Sequence, residues 1–193
     1  MLIDVYDFDG TIYDGDSTLD FVLFAVRRHP VVLLGLPRIA GAAMKLAAKK
    51  IGLTQFKSVL FSEMAEQFDL SVEAGLFWLR PETRAKLGGW FRSTPRDIPI
   101  AICSASPEFE IRHAAKLLGV DTVIGTRCDT ATGQLIGENC KAQEKLRRLE
   151  EHFGEYTIRA MYTDDAKADG PLLAAAQEGY ILTHGVVAPY HRG

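Results

Sequence analysis

The run Leu2-Ile3-Asp4-Val5-Tyr6-Asp7-Phe8 is rich in β-formers and ends abruptly on Asp9-Gly10-Thr11. It predicts a strand running into a tight turn, with Asp7 and Asp9 at the strand's C-terminal end. From Ser17 to about Trp90 the pattern becomes helical. Ser17-Thr18-Leu19-Asp20 suits a helix start, Pro30, Gly35, Pro37, Gly52 and Pro81 punctuate the stretch, and no strand is expected in it. After Pro95 the period shifts again. Ile98 to Cys103 reads as a short buried strand, Pro107 to Leu118 as a helix and Asp121 to Ile124 as a second strand. Thr126 to Ile136 predicts a hairpin centred on Thr130-Ala131-Thr132-Gly133, and Lys141 to His152 a charged amphipathic helix. Ile158 to Tyr162 predicts a strand running into an acidic loop. Pro171 to Gln177 then reads as a helix, and Tyr180 to Thr183 as the strand that closes the sheet. Alternating strands and helices imply an α/β fold: a Rossmann-like, mostly parallel sheet in a three-layer α/β/α core, formed by residues 1–15 and 92–193, with 16–91 inserted as a helical cap.

Composition narrows the function classes. With 47% hydrophobic and 24% charged residues in 193, the chain has the makings of a folded core. A net charge of −3 gives no field for nucleic acid, which is not expected as a partner. Cys103, Cys128 and Cys140 are odd in number and lack metal-ligand spacing, so reduced thiols in a cytoplasm are expected. Asp4, Asp7 and Asp9 fall where a signal peptide would be apolar, and secretion is not expected. Val31 to Ala48 is the longest apolar region, but Pro37, Arg38 and Lys45 interrupt it, so no transmembrane segment is expected. Arg27, Arg28, Arg38, Lys45, Lys49 and Lys50 interleave with it. That pattern suits a helical hairpin packed on the protein with solvated basic side chains, or a cap in peripheral contact with a membrane.

Four motifs fall at the C-terminal ends of four predicted strands, which converge on one crevice in a parallel sheet. In Asp7-Phe8-Asp9-Gly10-Thr11, alternation puts both carboxylates on one side, and Gly10 permits the turn that exposes them. One aspartate can attack phosphorus to form an acyl phosphate. The other can protonate the departing alkoxide and later activate water. Like charges facing a dianionic substrate require a cation, and Mg²⁺ favours such oxygen ligands. Ser104-Ala105-Ser106-Pro107, between a strand and a helix, offers a phosphate cradle, although a plain helix cap reads equally well. Lys141 and Lys145, four residues apart on one predicted helix face, can neutralise an aspartate nucleophile and phosphate oxygens. Thr163-Asp164-Asp165-Ala166-Lys167-Ala168-Asp169 has the charge and position of a metal loop.

In this order the motifs resemble those of the haloacid dehalogenase superfamily, and the resemblance spans the chain. It implies Asp7 as nucleophile, Asp9 as general acid/base with its main-chain carbonyl on the metal, and Ser104 as the phosphate-binding hydroxyl, with Gly10, Thr11, Ala105 and Ser106 beside it. For the lysine, Lys141 and Lys145 each resemble forms seen in related phosphatases; the spacing to Leu149 favours Lys145, and either can fill the role. Asp164 resembles the metal ligand, with Asp165 as rival, and Asp169 the supporting carboxylate; their spacing is one residue longer than the commonest pattern. Retention of Asp9 implies phosphoryl transfer, because the family's dehalogenases lack the second aspartate. Ser104 to Pro107 and Gly137 to Cys140 resemble the phosphoserine phosphatase-like branch. Phe21 to Arg28, Pro30 to Leu34 and Gln143-Glu144-Lys145 are similar to members of phosphatidylglycerophosphatase type, which adds a lipid-linked or otherwise apolar phosphomonoester to the small phosphorylated substrates expected.

The first expectation is therefore a Mg²⁺-dependent phosphomonoesterase. A phosphotransferase using the same aspartyl phosphate, a lipid-phosphate phosphatase at a membrane surface and a non-catalytic binding protein are the alternatives. Trp78 and Trp90 are expected to fill the contact between cap and core, His113 to be structural, and Ala188 to Gly193 to form a short tail.

Overall fold

The computed structural model describes residues 1–94 and 96–191. In the central strand β1 (Leu2–Tyr6), alternation sends Ile3 and Val5 to one face of a sheet and Tyr6 to the other, each into its own apolar cluster. The other strands are β2 (Ile100–Pro107), β3 (Thr122–Cys128), β4 (Leu135–Ile136), β5 (Thr157–Thr163), β6 (Glu178–Thr183) and β7 (Val186–Pro189). They lie in the order β4-β3-β2-β1-β5-β6-β7, with β4 and β7 antiparallel at the edges and the five inner strands parallel. The chain winds from β1 out to β3, then returns to the other side of β1 at β5. That reversal opens a crevice beyond the C-terminal ends of β1, β2 and β5.

Between β1 and β2 the chain is helical: α1 (Ser17–Arg28), a 3₁₀ segment (Pro30–Gly35), α2 (Leu36–Ala47), α3 (Leu53–Ala65), α4 (Leu70–Leu79), α5 (Pro81–Ala85) and α6 (Gly89–Ser93). Asp16 and Asp69 cap α1 and α4 by accepting from the Leu19 and Val72 amides. Pro37 and Pro81 sit in first turns, where a missing N–H leaves no bond unmade. These helices share one face of the sheet with α7 (Glu108–Leu118), through edge-on contacts of Phe109 with Phe21 and Phe61. Helices α8 (Gln143–Phe153) and α9 (Gly170–Ala175) cover the other face with Leu149, Leu172 and Leu173. The result is the expected three-layer α/β/α fold.

The two segments that join the helices to the sheet lie side by side. The Asp14 amide donates to the Lys86 carbonyl at 2.8 Å and the Gly88 amide to that of Ile12 at 2.7 Å. Trp78 packs on Phe8 and Tyr13, and Trp90 on Tyr6 and Tyr162, so both fill interior contacts. Tyr6, Tyr162 and Tyr180 stack across three neighbouring strands at 4.4 and 4.7 Å.

Two boundaries differ from expectation. Ser104 to Pro107 lies within β2, which runs past a register shift until Pro107 pairs with Thr126; the helix begins only at Glu108. The sheet does not close at Thr183. His184 and Gly185, both at positive φ, form a two-residue turn, and Val186–Pro189 pairs back on β6, so Ala188 and Pro189 are strand residues and not tail. Arg192, Gly193 and Pro95 lie outside the described residues.

Candidate active site

The loop leaving β1 is tightly tied, with the Phe8 carbonyl accepting from the Thr11, Ile12 and Tyr13 amides. Gly10 is at φ +72°, and a Cβ there would collide with the Asp164 carboxylate. Glycine is what lets the acidic loop after β5 approach the loop after β1. Thr11 joins them: its hydroxyl accepts from the Asp164 amide at 3.0 Å and lies 3.2 Å from Asp164 Oδ1. A cavity of about 680 Å³ opens here, lined by Gly10, Thr11, Asp164, Lys86, Trp90 and His184 among others.

Asp7 follows β1 directly, its amide donating to the Tyr162 carbonyl of β5. Lys145, buried in the first turn of α8, donates to Asp7 Oδ1 at 2.8 Å and Asp169 Oδ1 at 2.7 Å. The second Asp169 oxygen accepts from the Thr163 hydroxyl at 2.8 Å. Burial pushes the Asp7 carboxyl up to about 7 against the opposing pull of Lys145, and the like charges of Asp169 and Asp9 add to it. Burial acts to lower Lys145, but the two carboxylates outweigh it and hold the ammonium charged.

Asp9 is held separately. Its carboxylate accepts from the Ser17 amide at 2.7 Å and from the Ser106 hydroxyl. Burial raises its carboxyl above the usual range, with the Ser106 and Ser17 bonds opposing. Thr18 Oγ1 lies 2.9 Å from Ser106 Oγ and 3.3 Å from Glu110 Oε2. Glu110 is fully buried, and burial holds its carboxyl well above the usual range against the pull of the Ser17 and Thr18 hydroxyls. Thr18 has one hydrogen for two acceptors, Ser106 and Glu110, so the two hydroxyls join Glu110 to Asp9 in one hydrogen-bonded network.

At the end of β2, the buried Ser104 hydroxyl accepts from the Ser106 amide at 3.1 Å. The Ala105 carbonyl accepts from Thr126 at 2.7 Å and from Lys57 Nζ at 3.0 Å; Lys57 also reaches Asn139 Oδ1 at 3.2 Å. Burial lowers the Lys57 ammonium. Lys57 belongs to α3, so a helix of the insertion touches the strand end directly.

The fold thus brings Asp7, Asp9, Gly10, Thr11, Ser104, Ala105, Ser106, Lys145, Asp164 and Asp169 to the strand ends. Lys141 is exposed and precedes α8, so the expected helical face shared with Lys145 does not form. Asp165 turns its carboxylate onto the Lys167 and Ala168 amides. Sequence reasoning missed Ser17, Thr18, Lys57, Glu110 and Asn139. Glu110 left a trace as a glutamate on the apolar stripe of α7, four residues before buried Ala114. His113 packs against Gly75, away from these groups.

Among the described residues no three His, Cys, Asp or Glu side chains cluster in a metal-binding group. A divalent ion here would take two carboxylates, Asp7 and Asp164, with the Asp9 main-chain carbonyl and non-protein oxygens, as Mg²⁺ commonly does. The charges fit, because Asp7 and Asp169 share one ammonium while Asp164 adds a carboxylate that feels the charge of Asp169.

Residues 5–174 match the haloacid dehalogenase-like hydrolase family. Protein CicA of Caulobacter vibrioides is 31% identical over 200 residues, covering 95% of this chain and 87% of CicA. A protein of unknown function from Bordetella pertussis Tohama I superposes with a TM-score of 0.72 at 18% identity, covering 92% of this chain and 88% of that one. A probable phosphoserine phosphatase from Vibrio cholerae gives a TM-score of 0.60 at 18% identity over 93% of this chain and 55% of its own. At these identities the structural likeness establishes the fold.

Proposed function

Since the chain belongs to the haloacid dehalogenase-like hydrolase family, we propose that it is a Mg²⁺-dependent phosphatase that hydrolyses a phosphomonoester through an aspartyl phosphate on Asp7. The observation that carries this reading is the separation of two carboxyl groups at one strand end: Asp7 on the Lys145 ammonium and Asp9 on Ser106 and Ser17. A nucleophile and a proton donor need such different settings.

Asp7 attacks phosphorus while the bond to the ester oxygen breaks, and Asp9 delivers its proton to the departing alkoxide. Asp9, now a carboxylate, takes a proton from water. That water attacks phosphorus, the bond to Asp7 breaks, and Asp7 and the acid form of Asp9 return. Lys145 opposes the effect of burial on Asp7 and so favours the ionised form that attacks. In this reading the Ser104 hydroxyl and the Ala105 amide hold phosphate oxygens, with the Lys145 ammonium close by on Asp7. Asp7, Asp164 and the Asp9 carbonyl would hold Mg²⁺, which when bound would supply positive charge to offset the carboxylates and the phosphate.

In this reading residues 16–91 form a cap. The Asp7 side chain is only 14% exposed, so the cap opens to admit substrate, and its side chains select among small phosphomonoesters. Three free cysteines suit a cytoplasmic setting. The test is phosphate release from a panel of phosphomonoesters, lipid phosphates included, with and without Mg²⁺, for the wild type and Asp7→Asn. Metal-dependent turnover lost in the variant is expected. Turnover unchanged in Asp7→Asn would sink the covalent route, and turnover that appears only with an alcohol acceptor would identify a phosphotransferase.

A further inference from the structure

The most apolar stretch of the chain is poorly covered. Pro30–Ala47 is long and apolar enough to cross a membrane by length and composition, yet only 17% of it is buried. In α2, Ala42 is buried, with Ile39 and Leu46 half-buried beside it, while Leu36, Ala40, Ala43, Met44 and Ala47 follow helical spacing on a second face that points outward. The 3₁₀ segment before it extends this surface with Leu33 and Leu34. Leu34 is 80% exposed and Met44 69%. A helix that packs one narrow stripe inward and presents leucine and methionine outward lacks the polar outer face of an ordinary surface helix.

Charge indicates what covers it. Between Phe21 and Ser62 the sequence holds seven basic residues and no acidic one, in a chain whose net charge is −3. Arg28 and Arg38 pair with Glu73 and Glu63, and Lys57 points to the strand ends. Lys45, Lys49 and Lys50 are exposed at the end of α2 and form no ion pair among the described residues. Pro37, Arg38 and Lys45 break the apolar run, so the element suits lying along an interface better than crossing a bilayer.

We propose that this face docks on a bilayer containing anionic phospholipid, with Leu33, Leu34, Leu36 and Met44 entering the headgroup boundary and Lys45, Lys49 and Lys50 against the lipid phosphates. A second copy of the chain is the rival occupant, but a two-fold contact would set one basic face against another. The proposal is independent of the hydrolytic reading. It also gives the insertion a second role, because α2 packs on α3, and α3 carries Lys57 to the end of β2.

Flotation of the full chain with phosphatidylcholine vesicles, and with vesicles containing roughly one-third phosphatidylglycerol, tests it. The wild type is expected to float with the anionic vesicles only, and to be released as salt rises. Leu34→Glu/Met44→Glu and Lys45→Glu/Lys49→Glu/Lys50→Glu each change exposed side chains. Each should lower the vesicle-bound fraction about tenfold or more with an unchanged circular dichroism spectrum. Absence of wild-type flotation, or flotation that both variants retain, overturns the proposal. So does sedimentation velocity showing a dimer that Leu34→Glu/Met44→Glu dissociates while vesicles bind nothing; that result gives the face to a second copy.

Discussion

Lys145 stands between Asp7 and Asp169, 2.8 Å from one carboxylate and 2.7 Å from the other. One ammonium therefore ties α8 to the acidic loop and also sets the charge on Asp7. Lys145→Met leaves two buried carboxylates without their partner, a change expected to cost about 3–5 kcal/mol of stability and more than a hundredfold in turnover. Adding Asp169→Asn removes one of the stranded charges. Thermal unfolding should recover in part in the double variant while phosphate release does not. Recovery of both would mean that Lys145 is only structural.

Glu110 lies at the far end of the hydrogen-bonded network that reaches Asp9, and its stability signature is distinct from its kinetic one. Its folded-state carboxyl titrates well above the ordinary glutamate range because it is buried. The folded protein thus keeps a proton that the unfolded chain has already released. The contribution is complete below the ordinary glutamate value and is lost as pH rises toward the folded-state value, at about 1.4 kcal/mol per pH unit. Glu110→Gln cannot titrate, so its stability relative to wild type should increase with pH across that window. Its amide can still bond Thr18, so turnover should stay within about threefold, whereas Glu110→Leu breaks the network and should cost roughly ten- to a hundredfold. Equal turnover in both variants would remove Glu110 from any part in positioning Asp9.

Gly10 offers a test of the approach between the two loops. Gly10→Ala places a methyl group against the Asp164 carboxylate and strains a residue at φ +72°. The strain costs about 1–2 kcal/mol. Displacing Asp164 should weaken Mg²⁺ at least about tenfold, read as the metal concentration that gives half-maximal turnover. An unchanged metal dependence would remove Asp164 from the ligand set.

How much was legible in the sequence depended on the range of the interactions involved. Asp7 and Asp9 were legible because strand, carboxylate and glycine are neighbours in the chain and their geometry is local. Lys141 and Lys145 could not be separated, since the choice depended on where α8 begins, and Gln143 leaves Lys141 outside it. Pro107 read as a helix start because proline favours first turns, yet here it ends a strand by pairing with Thr126 across a bulge. β7 was missed because a short run ending in proline carries a weak strand signal; it forms only because the His184-Gly185 turn delivers it to β6. Glu110 and Lys57 reach the strand ends from helices distant in sequence, and no local pattern encodes such a meeting.

Lys57 allows the insertion's share in substrate selection to be measured. Its ammonium bonds the Ala105 carbonyl and Asn139 Oδ1 instead of Asp7 or Asp9, and burial already weakens its hold on the proton. It therefore acts on the fit between α3 and the end of β2, and it feels the charge of Asp9 without bonding it. Lys57→Met preserves much of the side-chain volume while removing both bonds and the charge. If Lys57 contributes binding that is equal in ground and transition states, KM should rise about tenfold with kcat changed less than about threefold, and the pH profile of kcat should keep its shape. A fall in kcat at constant KM would place Lys57 in the chemical step, and a displaced pH profile would show that it sets the charge on Asp9. A change in neither constant would confine the Ala105 and Asn139 bonds to holding the insertion against the sheet.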